Sequence, residues 1–268
     1  GTIRFHYSLR DKHVLFDGSQ PAGFFTECGA RLDKVSMYMR NNIQTAYLNY
    51  GYDYGNRMFL TSLKTDVEGK YRFEYNLPYL SKVPTPLSCN IDHWGFWRGT
   101  DETGALIPRL RQSTESSEDF TIVSDHRNAT GKRYDATLLK SITYPTGGRA
   151  LFTYEPHRYS SIPCYESKSA FYMSMRSPTP ERYGIAGGGR INSVRFTDAN
   201  GKTMQETTYA YGGLPNEGTI TYMPFYRLIC VQKDQQTGKF KVCGIAFNSE
   251  GFEYKANRGA HIRYSTVT

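Results

Sequence analysis

The chain has 268 residues, 38% of them hydrophobic, and no apolar run approaches the ~18 residues of a membrane-spanning helix. Its 33 Lys and Arg against 25 Asp and Glu give a formal charge of +8, but the basic residues are spread evenly, without the stripe of a nucleic-acid-binding module. Membrane span and nucleic-acid partner are therefore not expected, and the length suits one large all-β domain or two ordinary ones.

Taken in chain order, aromatic residues keep a beat of two. Ile3, Phe5 and Tyr7 alternate with Arg4 and His6. "RLDKVSMYMRNNIQTAYLNYG" (Arg31 to Gly51) is followed by "LTSLKTDVEGKYRFEYN" (Leu60 to Asn76), where Tyr71, Phe73 and Tyr75 alternate with Arg72 and Glu74. "LLKSITYPTGGRALFTYE" runs from Leu138 to Glu155, and "RINSVRFTDANGKTMQETTYAYG" from Arg190 to Gly212. Phe252 with Tyr254, and Ile262 with Tyr264, close the series. Alternation of this kind turns one face of a strand to a core and the other to water. "DVEG", "PTGG", "DANG" and "NSEG" (Asp66–Gly69, Pro145–Gly148, Asp198–Gly201, Asn248–Gly251) are turn signals, with glycine for positive φ and Asp or Asn to start the turn. A helical turn is expected only in "YDATLLKSI", Tyr134 to Ile142.

The units resemble one another. Each reads aliphatic, two residues, aliphatic, a turn with Gly, then an aromatic, one residue, Tyr; Arg31 to Gly51 is a looser copy, and Ile3 to Tyr7 looks like the second half of another. Such repetition implies β-ribbons added one upon the next. The polar stretch Gly99 to Asp135 and the proline-containing stretch Pro156 to Gly189 interrupt the sheet. One soft boundary near residue 115 is drawn, giving an N-terminal β lobe at 1–115 and a C-terminal β lobe at 116–268. Both ends look cut from something longer, so the chain is read as a segment of a larger protein. The expected fold is all-β, with antiparallel hairpins packed as a sandwich or as an open stack and little helix.

The aliphatic-turn-Gly-Arg-x-x-x-Tyr-x-Tyr rhythm resembles the YD repeats of bacterial Rhs-type proteins. More closely, the chain is similar to large exported proteins of gut-type Gram-negative bacteria that carry YD-like segments. These show a D-H-W-G-aromatic-aromatic-x-G box, an L-x-x-I-x-Y-P-T-G-G box and a G-G-x-R-I box; Asp92–Gly99, Leu139–Gly148 and Gly188–Ile191 match in that order. The resemblance spans roughly Leu60 to Gly212. It implies an exported or cell-surface setting and a β-rich repeat fold, and it carries no established catalytic residue. At the tyrosines that close these units the strict Tyr-Asp pair of a YD repeat is missing: Asn76 follows Tyr75, Glu155 follows Tyr154 and Gly212 follows Tyr211, a departure from the pattern of a closed Rhs shell.

"NIDHWGFWRGT" (Asn90 to Thr100) holds both tryptophans beside an Asp-His pair. Three uses fit it. As a ligand platform, Trp94, Phe96 and Trp97 offer flat faces to sugar rings, with Asp92, His93 and Arg98 as hydrogen-bonding partners. As structure, the aromatics close the end of a sheet, Gly95 and Gly99 bend the chain, and Asp92 caps a turn. Catalysis is the weakest, because neighbours on a strand point to opposite faces; a glycosidase needs two carboxylates ~5–9.5 Å apart, for which Asp101 and Glu102 are the other candidates. Neither G-x-S-x-G nor a second His at metal spacing accompanies the box, so no catalytic residue, metal or cofactor is assigned. "GGGR" (Gly187 to Arg190) reads as close strand packing or a bend, and His6, His13, His126, His157 and His261 form no ligand pattern. Cys28, Cys89, Cys164, Cys230 and Cys243 include no C-x-x-C, leaving disulfides and reduced buried thiols both open. The expected function is a non-enzymatic structural or adhesive module that contacts glycans or other segments of the same long chain; the alternative is a carbohydrate-active enzyme or its accessory carbohydrate-binding domain.

Overall fold

A computed structural model describes residues 1–9, 30–39, 42–52, 57–77, 90–92, 94–100, 109–112, 120–124, 128–161, 172–173, 184–212, 217–221, 225–248 and 261–268. The fold is all-β, and none of these residues is helical. The strands are β1 (Thr2–Leu9), β2 (Ala30–Met39), β3 (Asn42–Tyr52), β4 (Met58–Thr65), β5 (Gly69–Tyr75), β6 (Arg109–Gln112), β7 (Phe120–Ser124) and β8 (Leu139–Thr143). They continue as β9 (Arg149–Ser161), β10 (Tyr172–Met173), β11 (Gly184–Thr197), β12 (Thr203–Thr208), β13 (Gly218–Ile220), β14 (Phe225–Lys233), β15 (Phe240–Asn248) and β16 (Ile262–Arg263).

The chain divides into two units, each drawn from three stretches: Gly1–Ser88, Asp135–Tyr154 and Ile191–Thr208 in the first, and Cys89–Tyr134, Glu155–Arg190 and Tyr209–Thr268 in the second. This differs from a single cut near residue 115. The physical reason is that β9 and β11 are long, and each gives one half to either unit.

In the first unit the strands follow the order β1-β2-β3-β4-β5-β8-β9-β11-β12. Neighbours run antiparallel from β1 through β9 and again from β11 to β12. Of the two expected arrangements the sheet takes the open one, with β1 and β12 at its edges. The turns carrying Gly69, Gly147 and Gly201 hold those glycines at φ 100°, 90° and 83°, and Asp198 Oδ1 accepts the N–H groups of Asn200 and Lys202 at 2.9 and 2.8 Å. The "NSEG" turn lies largely outside the described residues. A further hairpin, β14–β15, closes on Asp234, whose Oδ1 accepts from Gln236 and Thr237 at 2.8 and 3.0 Å.

In the hairpins β2–β3, β4–β5 and β8–β9 the first strand carries a leucine-type pair and the second is rich in aromatics. The spacing of three between Leu60 and Leu63, or Leu139 and Ile142, breaks a period of two. The register explains it. Tyr50 stands opposite Leu60 and Asn49 opposite Ser62, so Thr61 is an extra residue. Tyr75 stands opposite Leu139 and Glu74 opposite Ser141, so Lys140 is extra; Tyr7 stands opposite Leu32 and His6 opposite Lys34, so Asp33 is extra. A bulge of one residue returns both aliphatics to the same face.

The same joint recurs on both faces of the sheet. On the apolar side the second-strand tyrosine donates its hydroxyl back across its own hairpin: Tyr50 to Leu32 O at 2.7 Å, Tyr75 to Leu60 O at 2.9 Å, Tyr154 to Leu139 O at 2.6 Å. Burial pushes all three phenols up from their ordinary value. On the polar side the residue before the tyrosine bonds a serine of the next strand: Asn49 to Ser62 at 3.2 Å, Glu74 with Ser141 at 2.8 Å, and Thr153 with Ser193 at 2.7 Å. Ser62 and Ser141 are buried in these bonds, and so is Ser36, whose hydroxyl lies 3.5 Å from His6 Nε2. The repetition legible in the sequence is thus a repeated set of contacts.

In the second unit, β13 pairs parallel with the far half of β9 and antiparallel with β16. Trp94, Ala186, Ile220 and Ile262 form its buried apolar cluster, with Ala129, Tyr159 and Tyr264 packed against it. β10, β14 and β15 make a three-stranded sheet, and β6 pairs with β7. The expected helical turn is not formed. Tyr134–Thr137 is a turn in which Arg133 and Thr137 adopt φ 51° and 69°, a left-handed conformation that stops a helix.

Candidate functional site

The box of Asn90–Thr100 folds as a small hairpin in the second unit. Ile91 bridges Trp97, and the Asp92 N–H donates to Phe96 O at 2.7 Å. Asp92 organises the turn, since a short side-chain acceptor can serve amides two and four residues on. Its Oδ1 accepts from the Trp94 and Phe96 N–H groups at 2.9 and 3.0 Å. Gly95 sits between them at φ 91°, where a side chain would be strained.

Asp92 is 1% exposed and Trp94 8%. The other carboxylate oxygen of Asp92 lies against Gly187 so closely that a Cβ there would come within 1.9 Å of it. A Cβ on Gly188, which has φ 75°, would meet the Phe96 ring at 2.7 Å. The glycines of "GGGR" therefore permit β11 to pack flat onto the box. Arg98 is buried and its Nε donates to Asn128 O at 3.2 Å. Trp97 is half-buried, and its indole N–H is shielded from solvent and has no acceptor among the described residues. Phe96 is 40% exposed. His93 lies outside the described residues, as do Asp101 and Glu102.

Six site residues were expected. The structure brings Asp92, Trp94 and Phe96 together around β11 and β16, sets Arg98 against the Asn128 carbonyl, and leaves Phe96 as the exposed ring.

Residues that the sequence did not single out complete this region. The His261 ring lies 5.6 Å from Trp94, 5.2 Å from Phe96 and 5.3 Å from His157. The Gly187 carbonyl accepts from His261 Nε2 at 2.9 Å, which fixes the neutral tautomer with the proton on Nε2. His157 Nδ1 and the Tyr264 hydroxyl are 2.7 Å apart. Desolvation first, then His261 and the Arg190 guanidinium, hold His157 down to about 3. Burial also lowers His261, against the opposing hydrogen bond to Gly187. Both imidazoles are neutral at neutral pH.

Arg190 forms the polar edge. It pairs with Glu155 at 2.8 Å and lies over the rings of Tyr211 and Tyr264 at 4.4 and 4.7 Å. A guanidinium stacked on aromatic faces gains roughly 0.5–2 kcal/mol per contact. The available signal was the alternation of Glu155, His157 and Tyr159 along β9, one residue out of step with the aromatic beat of Phe152 and Tyr154.

Chemically, the region offers two uncharged imidazoles inside an aromatic cluster and one internally paired cation. No group of three or more His, Cys, Asp or Glu able to hold a metal ion occurs among the described residues. Of the cysteines, Cys230 and Cys243 lie on β14 and β15, and the others fall outside the described residues. Compared with protein-family models, curated proteins and solved structures, the chain matches none of them.

Proposed function

We propose that this chain is a non-enzymatic scaffold segment of an exported, YD-repeat-like bacterial surface protein. The observation that carries this reading is the use to which the chemically promising residues are put. The Asp92 carboxylate is buried and engaged by two backbone amides, and Trp94 packs into the cluster with Ala186, Ile220 and Ile262. A general acid or base must reach a substrate proton, and a group in that setting is placed to hold a corner. Repeated joints between hairpins serve the same end in the sheet. A panel of polysaccharides tests the proposal: the expected result is no hydrolysis by wild type, and turnover that drops with Asp92→Asn overturns it.

The adhesive variant rests on Phe96, the exposed aromatic of the box. Aromatic faces stack on sugar rings. A glycan array with wild type, Phe96→Ala and Trp97→Ala tests it; binding that weakens with Phe96→Ala supports it, and blank profiles for all three remove it.

A further inference from the structure

We propose that one face of the strands β2 to β5 is a binding surface for an acidic polysaccharide, a sugar chain that repeats a carboxylate along its length. The surface belongs to the first unit, is distinct from the exposed Phe96 of the second, and does not depend on the function proposed above.

The basic residues are spread evenly through the sequence, and the strand register gathers them. Lys34 on β2 stands opposite Tyr47 on β3, Tyr47 opposite Lys64 on β4, and Lys64 opposite Lys70 on β5. Arg72 lies two residues along β5 from Lys70 and shares its face. The opposite face carries Val35, Ala46, Leu63 and Tyr71, so three ammonium groups and a guanidinium stand on one side. Neighbouring strands lie ~4.8 Å apart, which sets Lys34 and Lys70 about 14 Å from each other across the sheet.

Like charges placed directly opposite on adjacent strands destabilise a sheet, and Lys64 faces Lys70. The nearest acids are engaged elsewhere. Glu74 pairs with Arg149 at 3.0 Å and Asp33 with Arg31 at 2.7 Å, while Asp66 Oδ2 accepts the Thr45 N–H at 3.0 Å. No ion pair of Lys34, Lys64, Lys70 or Arg72 occurs among the described residues. Lys64, Lys70 and Arg72 are exposed, and Tyr47 is 44% exposed. A carboxylate seated between Lys64 and Lys70 relieves the repulsion that the free sheet carries.

Tyr47 decides the class of polyanion. Its ring stands between Lys34 and Lys64, where a pyranose can cover it while carboxylates meet the flanking ammonium groups. Single-stranded nucleic acid stacks successive bases on several aromatic rings. The next tyrosine along this face of β2, Tyr38, is already overlain by the Arg4 guanidinium at 5.0 Å. A duplex is read by a helix or a two-stranded ribbon set in its groove, which a four-stranded face does not enter. A polyglutamate chain leaves the Tyr47 ring uncovered.

Isothermal titration calorimetry of the whole chain with an oligogalacturonate tests the proposal, with its methyl ester, poly-dT and polyglutamate as comparisons. The acid form should bind saturably and more weakly as salt is raised, and the uncharged ester roughly tenfold more weakly or worse. Lys64→Gln and Lys70→Gln should each weaken binding about 1.5- to 5-fold, the worth of one exposed ion pair, and Tyr47→Ala should weaken it without changing the salt dependence. Lys70→Glu turns a repelling cross-strand pair into an attracting one. The urea midpoint of the free protein should therefore rise while binding falls by about tenfold or more. Lys202→Glu, in the turn between β11 and β12, should bind as wild type. No saturable binding, equal binding of the ester, or indifference to Lys70→Glu overturns the proposal. Binding that falls only where the urea midpoint falls, across the three lysine variants, also overturns it. Poly-dT or polyglutamate binding as tightly as the uronate, with Tyr47→Ala without effect, overturns it in favour of a general polyanion surface.

Discussion

Replacing Tyr75 by Phe removes one hydroxyl and leaves the ring in place, so it isolates the bond to Leu60 O. That bond is 2.9 Å long and the tyrosine is half-buried. A hydrogen bond of this type contributes about 0.5–1.5 kcal/mol net. The ring contact with Phe59, 4.8 Å between centroids, survives the change. Tyr50→Phe and Tyr154→Phe remove the equivalent bonds at 2.7 and 2.6 Å. If the three act independently, the triple variant loses about 3 kcal/mol, because separated sites usually add. Native-state hydrogen exchange of β4, β5 and β8 amides reads this as reduced protection. Tyr71→Phe is the control: its hydroxyl bonds Glu68 on the exposed side of a turn, and protection should not change. A triple variant as stable as wild type would refute the claim that the tyrosines fasten the hairpins.

The second unit gives three further outcomes. His157 is held neutral down to about 3, whereas an unfolded histidine takes up a proton near pH ~6.5. Its contribution is therefore intact above that pH and declines as pH falls through the window. At pH 5 the loss from this residue is about 2 kcal/mol; urea titrations followed by Trp fluorescence at pH 7 and 5 measure it, and His157→Gln should narrow the difference. Gly187→Ala puts a methyl 1.9 Å from the Asp92 carboxylate and should cost about 3 kcal/mol or more, while Gly201→Ala, at φ 83° with nothing within 4 Å, should cost about 1. Asp92→Ala strips two amides of their acceptor and should cost about 3 kcal/mol; Asp92→Asn, which keeps an oxygen, should cost less than half of that. Equal losses for Ala and Asn would show that burial, not capping, is what Asp92 provides.

The strands were legible because side-chain alternation is a local property. Tyr71, Phe73 and Tyr75 announce β5 whatever it packs against, and three of the four turn signals mark hairpin turns in the described chain. The helical turn at Tyr134–Ile142 was misjudged because Leu138, Leu139 and Ile142 suit either period, and the left-handed Arg133 and Thr137 carry no glycine to flag them. The site was legible in part. Asp92 as a turn cap follows from the short acceptor beside a Gly, but the meeting of His157 with His261 depends on β9 and β16 arriving on the same cluster. No spacing encodes that. The division into units was hidden for a related reason: the prolines and glycines of Pro156 to Gly189 read as an interruption of the sheet, yet β9 runs on to Ser161 and β11 starts at Gly184, and where each passes from one unit to the other is decided by partners far away in the chain.

One device ties the repeat together. An extra residue in a first strand disturbs the ladder and leaves backbone groups to be satisfied in another way. The carbonyls that the tyrosine hydroxyls reach belong to Leu32, Leu60 and Leu139, each immediately before the extra residue Asp33, Thr61 or Lys140. The same extra residue sets the aliphatic pair three apart. It also brings Ser62 and Ser141 opposite Asn49 and Glu74, the polar residues that precede the tyrosines. Bulge, aliphatic spacing, serine and tyrosine are thus four aspects of one joint, and a sequence that keeps the tyrosine while deleting the extra residue loses both the carbonyl it serves and the register that aligns the apolar face.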